Sequence, residues 1–320
     1  MVKKVLLLGI AVIVLLGIVY LLQDTNTSKE VKMNPYSILA LQRREFKTGK
    51  ITVEETLGDS ETHTSSIVSY PSDSLKIYAL MNIPNSTRPQ NGFPVVIINH
   101  GYINPSLYST RESYRRNADF YAAGGYLVLK PDYRAHGKSE GERSRVLNRI
   151  NYTVDVLNLI AAIPSIPQAD PQKVLLWGHS MGGEISLRVL EITDRVKGAT
   201  LWAPATTTFP ESFLYFIRKN RPDELDEIEK ELYRIFNKED FQLLSSTENL
   251  KFIQSPLIIH HGKADESVPY SWSVELDKKL SKSNIRHTFY TYEGEDHNFG
   301  GGSMDEILMR DLAFFREALK

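Results

Sequence analysis

Cysteine is absent from all 320 residues. No disulfide, thiolate metal site, thiol nucleophile or lipid-bearing N-terminal cysteine can therefore be built. The redox compartment stays open, because a chain without thiols is at home in any. An excess of charge is missing too: 38 Lys and Arg face 39 Asp and Glu, for a formal net charge of −1. That leaves no basic footprint for nucleic acid, which is excluded as an expected partner. The H-E-x-x-H, EF-hand, G-x-G-x-x-G and G-x-x-x-x-G-K-[ST] patterns are all lacking, so no metal or nucleotide cofactor is implied. What remains is ordinary globular composition, 42 % hydrophobic and 24 % charged, with enough chain for one large domain or two small ones.

Long apolar runs are also lacking, with one exception. Val5 to Leu22 is an unbroken run of residues that are apolar, Gly or Tyr, preceded by Lys3 and Lys4 and followed by Gln23-Asp24. It is long enough to span a bilayer. It exceeds a usual signal h-region and has no A-x-A-like cleavage site, so residues 1–24 read as an uncleaved membrane anchor in preference to a cleaved signal. The flanking lysines orient the N-terminus inward and put the body outside the cytoplasm; secretion after cleavage is the alternative. Residues 25–50 read as a polar linker and a short helix, Pro35 to Phe46.

From Ile51 to Pro84 the residues alternate with period two, and Pro71-Ser72-Asp73-Ser74 marks a turn, which predicts an antiparallel lead-in. Thereafter strands and helices alternate. Strands are expected over Pro94–Ile98, Tyr126–Lys130, Val174–Trp177, Val196–Trp202, Leu257–His260 and Thr288–Tyr292. Helices are expected over Arg111–Ala123, Asn148–Ile163, Glu184–Ile192, Ser271–Leu280 and Met304–Leu319. This rhythm predicts a mostly parallel, doubly wound sheet whose strand C-termini share one edge. It breaks over residues 205–250, where two helical segments, Glu211–Lys219 and Pro222–Phe236, predict a lid over that edge. Phe213 to Ile217 are five consecutive large apolar residues, which cannot all lie on one side of a helix. Phe213 and Phe216 are the candidate substrate contacts.

The organising stretch is Lys173–Gly183, K-V-L-L-W-G-H-S-M-G-G. It reads as strand, G-x-S-x-G, helix, the context in which a serine is exposed on a sharp turn at the positive end of a helix. A serine hydroxyl needs a general base, and that base needs an acid to hold its tautomer. With Ser180 as nucleophile, the expected order is Ser, acid, His. Asp265, just after the Leu257–His260 strand, is the candidate acid and His297, just after the last strand, the candidate base. Asp296 is disfavoured as the acid because a sequence neighbour is poorly placed to meet His297 Nδ1, while Glu266 stays open. The oxyanion of an acyl transfer needs preorganised donors. The backbone N–H of Met181 is one candidate and that of Tyr102, in Asn99-His100-Gly101-Tyr102, the other. His136 and His179 read as structural and near the nucleophile, His63 and His287 as exposed. His260 and His261 are adjacent on a strand, so they point opposite ways and do not share a metal.

Taken together, H-G-Y at His100–Tyr102, P-D-Y-R-A-H-G-K-S-E-G at Pro131–Gly141, G-H-S-M-G-G, H-G-K-A-D at His261–Asp265 and G-E-D-H at Gly294–His297 resemble the α/β-hydrolase superfamily. Within it they are similar to prolyl oligopeptidase-like catalytic domains and feruloyl-esterase-like enzymes. The resemblance implies an α/β-hydrolase fold over residues 51–320 and a serine hydrolase acting on a small ester or short peptide. Ala135 departs from the D-x-R-G-H-G-x-S pattern at its first Gly, a loop position. Ester cleavage through an acyl-enzyme is the leading reading. A prolyl oligopeptidase-type peptidase is second, since the segment ahead of Val95 shows no repeat that could form a gating propeller. A non-catalytic binding protein on the same scaffold is third.

Overall fold

The computed structural model describes residues 33–320. The expected membrane anchor over Val5–Leu22 lies outside the described residues, and among these no helix is long and apolar enough to cross a membrane. Residues 36–320 form one unit. A short helix α1 (Ile38–Arg43), N-capped by the Ser37 hydroxyl, precedes three strands, β1 (Thr52–Asp59), β2 (His63–Ser72) and β3 (Leu75–Pro84). There follow β4 (Phe93–Asn99), α2 (Arg115–Ala123), β5 (Leu127–Pro131), α3 (Asn148–Ala162), β6 (Ala169–His179), α4 (Met181–Ile192) and β7 (Val196–Trp202). The lid holds α5 (Glu211–Asn220), α6 (Leu225–Ile235) and α7 (Asp240–Leu244), and the chain closes with β8 (Leu257–Gly262), α8 (Tyr270–Lys282), β9 (His287–Tyr292) and α9 (Met304–Ala318).

The strands form a single nine-stranded sheet in the order β1-β2-β3-β5-β4-β6-β7-β8-β9. The first three and the β3–β5 pair are antiparallel and every later pair is parallel. This is the α/β-hydrolase architecture that the sequence predicts. Period-two alternation sorts each central strand between two cores. On one face Val95, Ile97, Val174 and Leu176 meet the apolar sides of α3, α4 and α8. On the other Val96, Ile98, Leu175 and Trp177 meet α2 and α9. Each such side chain, fully buried, contributes roughly 1.5–3 kcal/mol. A third cluster builds the lid: Phe209, Phe213, Leu214 and Ile217 pack with Ile228, Leu232 and Phe236, and the group rests on Val146, Ile150 and Val154. The five-residue apolar block of α5 divides as its helical spacing requires. Phe213, Leu214 and Ile217 are buried in the lid, while Tyr215 and Phe216 meet Trp272 edge-on.

Three details differ from expectation. The helix expected from Arg111 starts at Arg115, because Tyr114 adopts a left-handed conformation with φ 58°. His63 is buried, not exposed; its ring lies 2.9 Å from the Thr62 hydroxyl and 3.2 Å from Asp119. His287 is also largely covered, between Asp277 and the Ile285 carbonyl, because its strand edge lies against α8. The Pro131–Gly141 block proves to be a clamp on α3. Arg134 makes a multi-point contact with the buried carboxylate of Asp155, closest at 2.7 Å, and Ser72 donates to the same group. Ala135 holds φ 59°, a left-handed conformation in which the family's usual Gly carries no steric cost.

Candidate active site

Ser180 stands between the end of β6 and the first residue of α4, with φ 55° and ψ −120°. A non-glycine residue held there stores on the order of 1–3 kcal/mol of strain. The turn survives because its neighbours fix it. The Ser180 N–H donates to the Trp202 carbonyl, and the Ser180 carbonyl accepts from Gly183 and Ala205. Gly182 is obligatory for packing: a Cβ there would lie 1.8 Å from the Asn99 carbonyl oxygen. The N-terminus of α4 is thereby seated directly on the end of β4, from which the His100–Tyr102 loop departs. Asn99 Nδ2 donates to the Ser186 hydroxyl at 2.8 Å and strengthens that seat.

Asp265 and His297 come together from the loops after β8 and β9. The Nδ1–H of His297 donates to Asp265 Oδ2 at 2.7 Å. The other carboxylate oxygen accepts from the backbone N–H groups of Ser267 and Val268, at 2.8 and 2.9 Å. His261 adds a fourth donor, with Nε2 3.1 Å from Oδ2 while its Nδ1 faces the Ser273 hydroxyl at 2.7 Å. Burial alone would raise the Asp265 carboxyl, but the hydrogen bonds from His261 and His297 outweigh it and hold the group well below the usual carboxylate range. His297 Nε2 makes no hydrogen bond to the described residues and so stays available. Asp296 instead accepts the N–H groups of Asn298 and Gly300 and shapes the loop. Glu266 is exposed, and its carbonyl receives Lys219. Of the three candidate acids, the structure brings only Asp265 to His297.

A second chain of hydrogen bonds, not anticipated from the sequence, links the loop after β4 to that of His297. The Gly101 N–H donates to the Tyr114 hydroxyl at 3.0 Å, and that hydroxyl lies 2.6 Å from His179 Nδ1. His179 Nε2 is 2.9 Å from the His297 carbonyl oxygen. A carbonyl only accepts, so Nε2 carries the proton, Nδ1 accepts, and the Tyr114 hydroxyl donates. Burial, followed by the neighbouring His297, depresses His179 to about 3, which keeps it neutral in this role. The only sequence signal was alternation, which places His179 on the same side of β6 as Trp177; nothing local identified Tyr114. Under the His100 loop lies a cluster of rings, with His100 stacked on Tyr133 at 4.3 Å and edge-on to His136 at 5.5 Å. His136 is therefore a packing residue of that loop.

A cavity of about 290 Å³ opens beside Ser180, lined also by Met181, Tyr102, Phe213 and Phe216, among others. Met181 is the first residue of α4, so its N–H is an unsatisfied helix-start donor. Tyr102 is 62 % exposed at the mouth. A larger cavity, about 520 Å³, lies at the far end of α4 beside Gln42 and Lys251. It holds no nucleophile with a base, so size does not decide between them. Among the described residues, no group of three His, Asp or Glu side chains is arranged to hold a metal ion.

The sequence profile of the prolyl oligopeptidase family matches residues 112–320. Human protein ABHD12B is 28 % identical over 198 residues, which is 60 % of this chain and 50 % of that protein. The chain thus spans about half the length of this curated relative. Among solved structures, a puromycin-hydrolyzing peptidase of Mycobacterium tuberculosis superposes with a TM-score of 0.67 at 20 % identity, covering 82 % of this chain and 40 % of that one. An acetyl xylan esterase from Paenibacillus sp. R4 gives 0.63 at 17 %, covering 86 % and 91 %. At such identities the likeness speaks to the fold.

Proposed function

The chain belongs to the prolyl oligopeptidase family, within the serine hydrolases, and we propose that it cleaves carboxylic esters through an acyl-enzyme on Ser180. The observation that carries this reading is the 2.7 Å bond from His297 Nδ1 to Asp265, which leaves Nε2 of the same ring free on the edge where Ser180 stands. In the proposed reaction, Ser180 Oγ attacks the substrate carbonyl while its proton passes to His297 Nε2. The oxyanion so formed is held by the N–H groups of Met181 and Tyr102, each such donor being worth about 3–4 kcal/mol. Collapse breaks the bond to the leaving alcohol, which takes the proton from Nε2. Water then repeats the sequence and frees the acid. Asp265 stays ionised throughout and stabilises the imidazolium.

Ester over peptide is favoured by the cavity, whose lid wall of Phe213 and Phe216 suits an acyl or aryl group, and by the region before β4. Among the described residues that region supplies a helix and three strands of the main sheet rather than propeller blades. Peptide cleavage is the second reading, supported by the family itself. A panel of p-nitrophenyl esters of graded chain length, run beside aminoacyl p-nitroanilides, separates the two. Higher kcat/KM on esters supports the first reading, and turnover of anilides alone overturns it. We further propose that residues 1–24 anchor the enzyme with its body outside the cytoplasm, on the strength of the Val5–Leu22 run. Deleting residues 1–24 should release a soluble, active enzyme; full-length protein with Met1 intact in the soluble fraction would refute the anchor.

A further inference from the structure

The cavity beside Ser180 carries more positive charge than a neutral ester requires. Five arginines line it, Arg143, Arg145, Arg149, Arg188 and Arg221, against the single carboxylate of Glu184. Two of them are already matched: Arg145 meets Glu227 at 2.9 Å and Arg221 meets Glu224 at 3.2 Å. The other three are not. Arg149 and Arg188 share the buried Glu184, the first in close contact through Nη1 and the second at 3.4 Å. Arg143 makes no ion pair among the described residues, and its guanidinium lies 5.8 Å from the centre of the Tyr102 ring at the mouth. The next carboxyl along α4, Glu191, is buried with neither oxygen hydrogen-bonded. Burial raises its carboxyl well above the usual carboxylate range, against the pull of the neighbouring Arg188. Burial, with Arg188 nearby, lowers Arg149 to about 9, which still leaves it cationic at pH 7.

Arg149 has the geometry of a receptor. Its Nη1 donates to Glu184 and, at 3.0 Å, to the Ala205 carbonyl, while Nε and Nη2 make no hydrogen bond to the described residues. The guanidinium lies 5.6 Å from the centre of the Phe216 ring, which steadies its plane. A guanidinium edge with two N–H donors left over matches a planar carboxylate in bidentate fashion. The start of α4, at Ser180 and Met181, adds its own positive potential to the same space.

We propose that this cavity selects substrates carrying a carboxylate a few bonds from the scissile carbonyl, bound by Arg149 with Arg143 at the entrance. The proposal deepens the reading of Ser180 as nucleophile and rests on it for the position of the scissile bond. Binding to the full-length Ser180→Ala protein in mild detergent tests it without need of turnover. The probes are monomethyl glutarate and its uncharged counterpart, methyl 4-carbamoylbutanoate, followed by calorimetry. The carboxylate should bind about tenfold more tightly at low salt, as one charge-assisted pair would give, and the preference should shrink as salt is added. Arg149→Met should bring the ratio near one. Arg143→Gln, at an exposed position where folding is not at stake, should reduce it several-fold. Equal binding of the two probes, binding of neither, or a preference that survives both substitutions would overturn the proposal. The outcomes stay separable from the catalytic reading. An active esterase without the preference removes only the carboxylate site, whereas a Ser180→Ala protein that still turns over esters removes only the nucleophile.

Discussion

One histidine–aspartate pair joins β8 to α9 and another joins the loops after β8 and β9, and they differ in what is left over. His260, on β8, faces Asp311 at 3.0 Å and the Tyr292 hydroxyl at 2.7 Å, so both ring nitrogens are committed. Asp311 also accepts from Tyr121, Thr200 and Trp202, and both members of the pair have side chains with no exposed surface. His297 meets Asp265 at 2.7 Å with one nitrogen only and keeps 13 % of its side chain exposed. The residue types are the same and the distances comparable. The first pair is a sealed brace between the sheet and α9, and the second leaves one ring nitrogen without a hydrogen bond to the described residues. The pairing alone therefore does not make a catalytic dyad; in the proposed reaction it is the unspent nitrogen of His297 that takes the Ser180 proton.

The comparison breaks most visibly through the reacting groups. Ser180→Ala and His297→Ala should each lower kcat on p-nitrophenyl butyrate by about a millionfold with little change in thermal midpoint. Retained turnover in either would end the distinction. Next come the two acids. Asp265→Asn should reduce kcat by about four orders of magnitude, as the wrong tautomer of the base is favoured. Asp311→Asn should leave kcat within a few-fold and instead cost roughly 3–5 kcal/mol of stability, because four buried donors lose a charged acceptor. Chemical denaturation beside steady-state kinetics reads both. Equal kinetic losses would show that the sealed pair also serves the reaction.

A smaller effect concerns pH. Since His179 is held near 3 in the folded protein, below the unfolded value of about 6.5, the unfolded chain binds its proton first. The stability due to its neutral form is complete above about pH 6.5 and is lost as pH falls from there toward 3. The depressed carboxyl of Asp265 adds a further loss below the ordinary carboxylate range near 4. The urea midpoint should therefore fall between pH 7.5 and 5, and His179→Gln should flatten that slope. An unchanged slope would show that His179 is not the group responsible. The smallest effect is expected in the lid, where Phe216→Ala should change kcat/KM by about three- to tenfold, unequally across short, long and aromatic esters. A uniform change would mean that the lid closes on itself and does not read the substrate.

How far the sequence discloses this site follows from the length scale of each interaction. Strand alternation is local, so the doubly wound sheet and the positions of Ser180, Asp265 and His297 just after their strands are readable. The exclusion of Asp296 is readable too, because a neighbour's reach is a local matter. Tyr114 and His179 meet across 65 residues, and His179 meets the His297 loop across 118; no spacing rule encodes such contacts. The sequence reads His261 only as a strand residue that shares no metal with His260; its contact with Asp265 is not encoded by spacing, because that partner lies four residues away across a turn. Arg149 left a faint trace: with Asp155 it is one of two charged residues in the otherwise uncharged α3, a composition that marks buried charges with specific partners. His63 was misread because isolated polar residues at a strand end are usually solvated, whereas here a hydroxyl pair and Asp119 receive it.

The central claim is that Ser180 is the nucleophile because His297 keeps one nitrogen unspent. Labelling with a fluorophosphonate, followed by peptide mapping in the wild type, His297→Ala and His260→Ala, tests it most directly. The account predicts stoichiometric modification of Ser180 in the wild type. It predicts near-complete loss of labelling in His297→Ala, and retained labelling in whatever fraction of His260→Ala is folded. Modification at another residue, or undiminished labelling of Ser180 without His297, would contradict it.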